Sequence, residues 1–316
     1  MAEHHHSPLC LAPNQAIYLA AVAQRTQRLL FGPLVYVLPL HHPVRLVEEI
    51  AMVDNLSDGR FQIGIGRGTG GGQEFAMWGG NPAENDERFE ETLQILLQGL
   101  THDFLSFEGK YYQFRELWME LKPKQMPYPP FWYAGNPVNA GKYGANFICF
   151  SPIEKLPEMM ARYLSSWETQ REQKDPTWPH VDEPLYGGSM HFFLADTDEE
   201  AAARARVAYQ VYGTNFDKPV PVGATPQPRP AGPRTIYNPG VADFDTVRQW
   251  ERLIVGSPRT VREYVERYVA ESTCNYLVGS FQWGDLTHAE ASRSLALFAT
   301  EVMPHFVDAP VSASAE

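Results

Sequence analysis

The sequence predicts an α/β fold, a parallel sheet with helices outside it, of a size that suits a single barrel. Three observations carry this. Short apolar runs of strand length alternate with amphipathic helical segments along most of the chain. The length of 316 residues fits a barrel of ~250 residues with insertions. No shift in composition marks a boundary between independent domains, so 1–316 is read as one domain.

Residues 29–38 (LLFGPLVYVL) read as a buried strand broken by Gly32-Pro33. Pro43 opens a helix to Leu56, with Leu46, Ile50 and Val53 on one face and Gly59 as the stop signal. Residues 60–66 form a second strand. After Asn81-Pro82, the residues Phe89, Leu93, Leu96, Leu97 and Leu100 recur at helical spacing. Residues 103–114 place Glu108-Gly109 between aromatic runs, the pattern of a hairpin. Then follow a strand at 131–134, a helix at 138–145, a strand at 147–150 and a helix at 153–171. A strand at 189–194 and a helix at 199–212 come next. Residues 218–240 are a proline-rich insertion without a period. Residues 241–253 and 258–271 read as helices, 275–281 as a strand and 288–303 as the last helix, and the tail at 308–316 frays.

Composition narrows the function. Lys plus Arg is 26 and Asp plus Glu is 38, a net charge of −12, which disfavours nucleic acid and anionic membranes as partners. A small anion needs only one local cationic site and stays open. The cysteines Cys10, Cys149 and Cys274 lie far apart without a CxxC pair, so neither a disulfide framework nor a structural zinc is expected. No apolar run approaches the ~18 residues of a membrane span. The first residues lack a secretion signal, and a cytoplasmic location is expected.

Several segments carry possible chemistry. Glu3-His4-His5-His6 offers adjacent imidazoles for proton transfer or a metal, though no spaced ligand motif completes a metal set. Gly64-Ile65-Gly66-Arg67-Gly68 follows a strand and, with Gly71, matches GxGxxG. The residues after it are a poor helix start, so a dinucleotide site is rejected. Arg67 then stands alone on a glycine loop, suited either to a phosphate, whose oxygens its fork matches, or to a carboxylate across the fold. Ala134-Gly135-Asn136-Pro137-Val138-Asn139 opens a helix after a strand, either as an anion site or as an ordinary cap by Asn136. His42 precedes Pro43 and is therefore extended, and Trp283 follows the 275–281 strand. There is no GxSxG and no cysteine nucleophile with a positioned partner.

AEHH at 2–5, LPLHHPVRLVEE at 38–49, DNLSDGR at 54–60 and GIGRG at 64–68 resemble the bacterial luciferase-like, flavin-dependent monooxygenase family. VGSPRTVREYVERYV at 255–269 and FQWGDLTHAEASRSLALFATEVMP at 281–304 are similar to its C-terminal end, so the resemblance spans almost the whole chain. It implies a (β/α)8 TIM barrel with insertions and reduced FMN at the C-terminal mouth of the strands. It implies His4 near the flavin ring, Arg67 on the flavin phosphate, and Gly135, Asn136 and Asn139 in the phosphate loop, where hydroxyl residues are more usual. It implies a non-proline cis peptide at Leu34-Val35 under the flavin, with His5, His42 and Trp283 as substrate-lining candidates. The partners implied are O2, a small organic substrate, a flavin reductase that supplies reduced FMN, and a second copy of the chain. In the family EHH closes the second barrel strand, and only two residues precede it here. The resemblance therefore implies that the N-terminal strand, helix and most of the next strand are missing. Other readings are a deazaflavin-dependent hydride-transfer enzyme, a non-catalytic flavin-binding homologue and a histidine-based metal protein.

Overall fold

The computed structural model describes residues 1–5, 12–68, 72–172, 181, 183–216 and 243–306. His6, loop residues 69–71, the proline-rich insertion and the tail fall outside them. The chain forms two units, Met1–Ile148 with Ala161–Leu185 and Cys149–Met160 with Tyr186–Glu316, each with its own apolar interior.

The first unit begins with a helix that the sequence reading passed over, α1 (Gln15–Arg25). Asn14 caps it by accepting from the Ile17 amide, but only Gln15, Leu19 and Ala23 are buried, too sparse a stripe to announce a helix. The strand expected over 29–38 shrinks to β1 (Tyr36–Val37), with an isolated bridge from Phe31 to Phe61. Pro33 has no amide to donate to a ladder, and Leu29 and Leu30 are exposed. The elements α2 (Pro43–Leu56), β2 (Ile63–Gly66) and α3 (Gly72–Met77) follow. After them come α4 (Asn85–Thr101), the hairpin β3 (Phe104–Glu108) and β4 (Gln113–Trp118), and β5 (Phe131–Ala134). The series ends with α5 (Pro137–Lys142), β6 (Asn146–Cys149) and α6 (Leu156–Glu172), of which Cys149 and the start of α6 up to Met160 belong to the second unit.

The strands β1, β2, β5 and β6 lie side by side and parallel, pairing Tyr36 with Ile65, Ile63 with Phe131 and Trp132 with Asn146. All four residues of β2 and of β6 are buried, as expected for parallel strands covered on both faces. The buried face of α2 (Leu46, Val47, Ile50) packs with that of α4 (Leu93, Leu96, Leu100). Gly99 permits their close approach, because a Cβ there would lie 2.8 Å from Val47 Cγ2. The β3–β4 hairpin is fastened to α4 by Glu91, whose carboxylate accepts from the amides of Lys110, Tyr111 and Tyr112.

The second unit holds β7 (Tyr186–Leu194), α7 (Asp198–Phe216), α8 (Phe244–Gln249), β8 (Leu253–Gly256), α9 (Pro258–Glu271), β9 (Tyr276–Ser280) and α10 (His288–Leu297). Strand β7 runs parallel between β8 and β9. The helix expected over 241–253 is corrected here. Its described part ends at Gln249, and Leu253, Ile254 and Val255 are fully buried and branched, a composition that favours a strand. Caps match their sequence signals: Ser257 accepts from the Thr260 amide, and Thr287 with Glu290 forms a capping box. No helix among the described residues is long and apolar enough to cross a membrane.

His191 sits in β7 with its ring edge-on to Tyr212 and Trp283, at 4.9 and 5.9 Å. Burial, aided by the positive charge of Arg252, pushes its pKa down to about 4. The unfolded chain takes up this proton below its ordinary value of 6.5, whereas the folded chain resists until about 4. Stability is therefore full above pH 6.5 and falls by up to roughly 3 kcal/mol as pH drops toward 4. Thermal unfolding between pH 7 and 4 should show a shallower loss in His191→Asn than in the parent chain. Equal slopes would remove His191 as the source.

Candidate active site

The structure builds a buried polar cluster on Glu3, which the sequence names in a candidate segment but to which no role is assigned there. Glu3 is buried, with 2% of its side chain exposed. One carboxylate oxygen accepts from the Val37 amide at 2.6 Å, at the end of β1. The carboxylate also takes His5 Nε2 at 3.0 Å and His41 Nε2 at 3.0 and 3.1 Å. Burial acts to raise its pKa, but the bonds from His41, His5 and Val37 outweigh it and hold the group below its ordinary range. The signal for this cluster was present in the sequence. Along an extended segment Glu3 and His5 fall on one face.

Of the adjacent pair His41-His42, the first joins Glu3 and the second does not. His42 is exposed and lies edge-on to Tyr112 and Phe114, at 6.0 and 6.1 Å. His5 lies edge-on to the exposed Trp78 at 5.4 Å. His4 is half-buried beside this cluster in the chain. The Leu34–Val35 peptide is cis, as the resemblance implies. Gln15 Nε2 donates to the Val35 carbonyl at 3.1 Å, and the Leu34 amide donates to the Met1 carbonyl at 2.6 Å.

A second group gathers at the C-terminal ends of β2 and β5. Arg67 forms an ion pair with Asp86 at 2.6 Å, with side chains 59% and 75% exposed. The hydrogen bond from Arg67 to Asp86 raises the arginine's pKa further. Tyr133 stands near enough to Arg67 to feel its charge, and near enough to Asn139 for that carboxamide to act on its hydroxyl. The structure thus places Arg67 and Asn139 near one tyrosine. Gly135 follows β5 with φ +139°, open to glycine at little cost. Asn136 acts as a cap: its Oδ1 accepts from the amides of Val138 and Asn139 at 2.9 and 3.3 Å. In this structure Arg67 meets a carboxylate and the amides of Val138 and Asn139 meet Asn136.

Trp283 belongs to the second unit. It is 4% exposed, packs in the interior with Phe193, Tyr209 and Phe244, and donates from Nε1 to the Phe192 carbonyl at 3.1 Å. Among the described residues no group of three or more His, Cys, Asp or Glu side chains is arranged to hold a metal ion.

Because Glu3 is held below its ordinary value near 4.5, its contribution is full above that pH and is lost as pH falls through the folded pKa. Glu3→Gln should cost about 1–3 kcal/mol at neutral pH. It should also flatten the acid limb of stability below pH 4.5, as read by urea unfolding across pH. A variant as stable as the parent, with an unchanged acid limb, would show that the carboxylate is not held as described.

A family model for luciferase-like monooxygenases matches residues 1–273. An uncharacterized protein of Sinorhizobium fredii is 31% identical over 90% of this chain and 80% of its own length. The oxygenase component of a flavin-dependent trigonelline monooxygenase from Acinetobacter baylyi is 26% identical over 98% of this chain and 85% of its own. Among solved structures, a monooxygenase from Streptomyces bottropensis superposes with a TM-score of 0.79 at 22% identity, covering 97% of this chain and 87% of that one. The oxygenating constituent of 3,6-diketocamphane monooxygenase from Pseudomonas putida, solved with FMN, gives 0.73 at 21% identity over 97% and 88%. A coenzyme F420-dependent tetrahydromethanopterin reductase from Methanopyrus kandleri gives 0.66 at 18% over 93% and 88%. These structural likenesses establish the shared α/β fold. With the model matched along most of its length, this chain belongs to the luciferase-like monooxygenase family of oxidoreductases.

Proposed function

We propose that the chain is the oxygenase component of a two-component monooxygenase, which takes reduced FMN from a separate reductase and oxygenates a small organic substrate with O2. The observation that carries this reading is the proximity of Arg67, just past β2, and Asn139, in α5, to Tyr133 near the C-terminal end of β5. A guanidinium, a phenol and a carboxamide are a donor set that suits a phosphate monoester. They fit the group with one reservation built into the chain, since the α5 amides already serve Asn136. The phosphate would be held by side chains more than by backbone.

Asp86 does not obstruct this. An exposed pair of this kind is worth about 0–1 kcal/mol, less than a bidentate arginine–phosphate contact. Arg67 would exchange one anion for another, and Asp86 would return to solvent. Leu34, Val35 and His4 are the proposed neighbours of the flavin ring, with His5 and His42 toward the substrate. Bound reduced FMN supplies the electrons that activate O2. The protein's part is to hold it, to exclude water and to place proton-handling side chains.

Two relatives support the two-component reading by name: the trigonelline enzyme is an oxygenase component and the diketocamphane protein an oxygenating constituent. The F420-dependent reductase on the same fold keeps a deazaflavin enzyme as the second reading. An anaerobic titration with reduced FMN and with reduced F420 separates them, and saturable binding of FMN alone is expected. Preference for F420 would overturn the proposal. Arg67→Ala should weaken FMN about 10–100-fold, the cost of one or two charge-assisted bonds, and leave riboflavin nearly unaffected because it lacks the phosphate. Equal losses for both would take Arg67 out of the phosphate role.

A further inference from the structure

We propose that Glu3 and His41 form a carboxylate–imidazole dyad, with Glu3 as the positioning residue and His41 Nδ1 as the proton acceptor for a substrate bearing an acidic hydroxyl. Four observations lead to it. The first is the direction of the hydrogen bonds. An ionised carboxylate only accepts, so the His41 ring bonded to it through Nε2 carries its proton there. The lone pair of the neutral ring is then on Nδ1, which receives no hydrogen bond among the described residues.

The second is the gradient of exposure. The Glu3 side chain is 2% exposed and the His41 side chain 24%. The orienting group is shut away from water while the ring it orients is partly open. His5, the other imidazole on Glu3, is only 8% exposed and serves as the closed side of the cluster.

The third is the place in the fold. His41 follows β1 through one tight turn at Leu38–Leu40, beyond the C-terminal end of a parallel strand, where α/β folds put their chemistry. Its ring is edge-on to Tyr36 at 5.4 Å, and Tyr112 Oη donates to its carbonyl at 3.5 Å. Ring and backbone are therefore both held. The stacked Tyr112 and Phe114, with His42 at their edge, form an apolar wall on the next residue.

The fourth is charge. Before transfer the dyad is a buried anion. In the transfer the substrate O–H bond breaks, its electron pair stays on oxygen, and the proton bonds to Nδ1. The imidazolium keeps its Nε2–H on Glu3, so the pair becomes neutral overall. The negative charge moves to the substrate oxygen, and Glu3 stays bonded to the imidazolium that forms.

That a substrate delivers the proton rests on the monooxygenase reading; the dyad itself does not, and it is tested without flavin. The probe is diethyl pyrocarbonate, which acylates a neutral imidazole at its lone pair. Modification rates of His41 and of exposed His42 are followed by peptide mass spectrometry on the full chain. Glu3→Gln should slow His41 about tenfold, the loss of one charge-assisted bond, and leave His42 unchanged. An unchanged ratio of the two rates, with the circular dichroism of the fold intact, would overturn the dyad. His5→Gln covers the case in which Glu3→Gln fails to fold. With the carboxylate shared only by His41 and the Val37 amide, His41 should react at least as fast as in the parent chain, and a slower reaction overturns the proposal. Failure of FMN binding leaves these rates untouched, so the two readings fail separately.

Discussion

Parallel strands buried on both faces leave little room for charged side chains, and the placement of this protein's candidate residues follows from that constraint. Ile63–Gly66 and Leu253–Gly256 are buried at every residue, and Phe131–Ala134 at all but the last. A polar group placed mid-strand must be neutralised, as at His191, where burial drives the ring to its uncharged form. Chemistry is displaced to the strand ends and the turns beyond them. Glu3 meets the last residue of β1, Arg67 follows β2 and Asn136 follows β5. The positions of the candidate residues are thus a consequence of how the sheet is covered.

The two polar groups at those ends differ in electrostatic character. Around Glu3 a buried carboxylate is saturated by an amide and two imidazoles, and removing one partner leaves a charge without compensation. That arrangement fixes geometry. Around Arg67 the partners are exposed, screened and easily exchanged. It suits a site that must accept and release a ligand. Tyr133 and Tyr143 add an apolar backing there, with the Tyr143 hydroxyl on Glu90 and Phe89 beside both rings.

Much of the fold was legible because its signals are local. The helix at Pro43–Leu56 declares its start by Pro43 and its face by spacing, and Phe131–Ala134 is a strand by composition alone. The capping box at Thr287 and Glu290 is written in four residues. What was misread lacked such a signal. Helix α1 has too narrow an apolar stripe, and the strand at 253–256 follows a helix without a glycine or proline to part them.

For the candidate site, the sequence by itself determined the inventory and the family: histidines at 4, 5, 41 and 42, an arginine on a glycine loop, and a short helix opened by Asn136 and Pro137. Only the tertiary structure decided which of these meet. Glu3 and His41 are 38 residues apart, and Arg67 and Asp86 are 19 apart. Neither pairing has a periodicity to betray it. Whether a carboxylate is an exposed charge or the buried hub of two imidazoles depends on which strand end arrives beside it, and that is set by sheet pairing between distant segments.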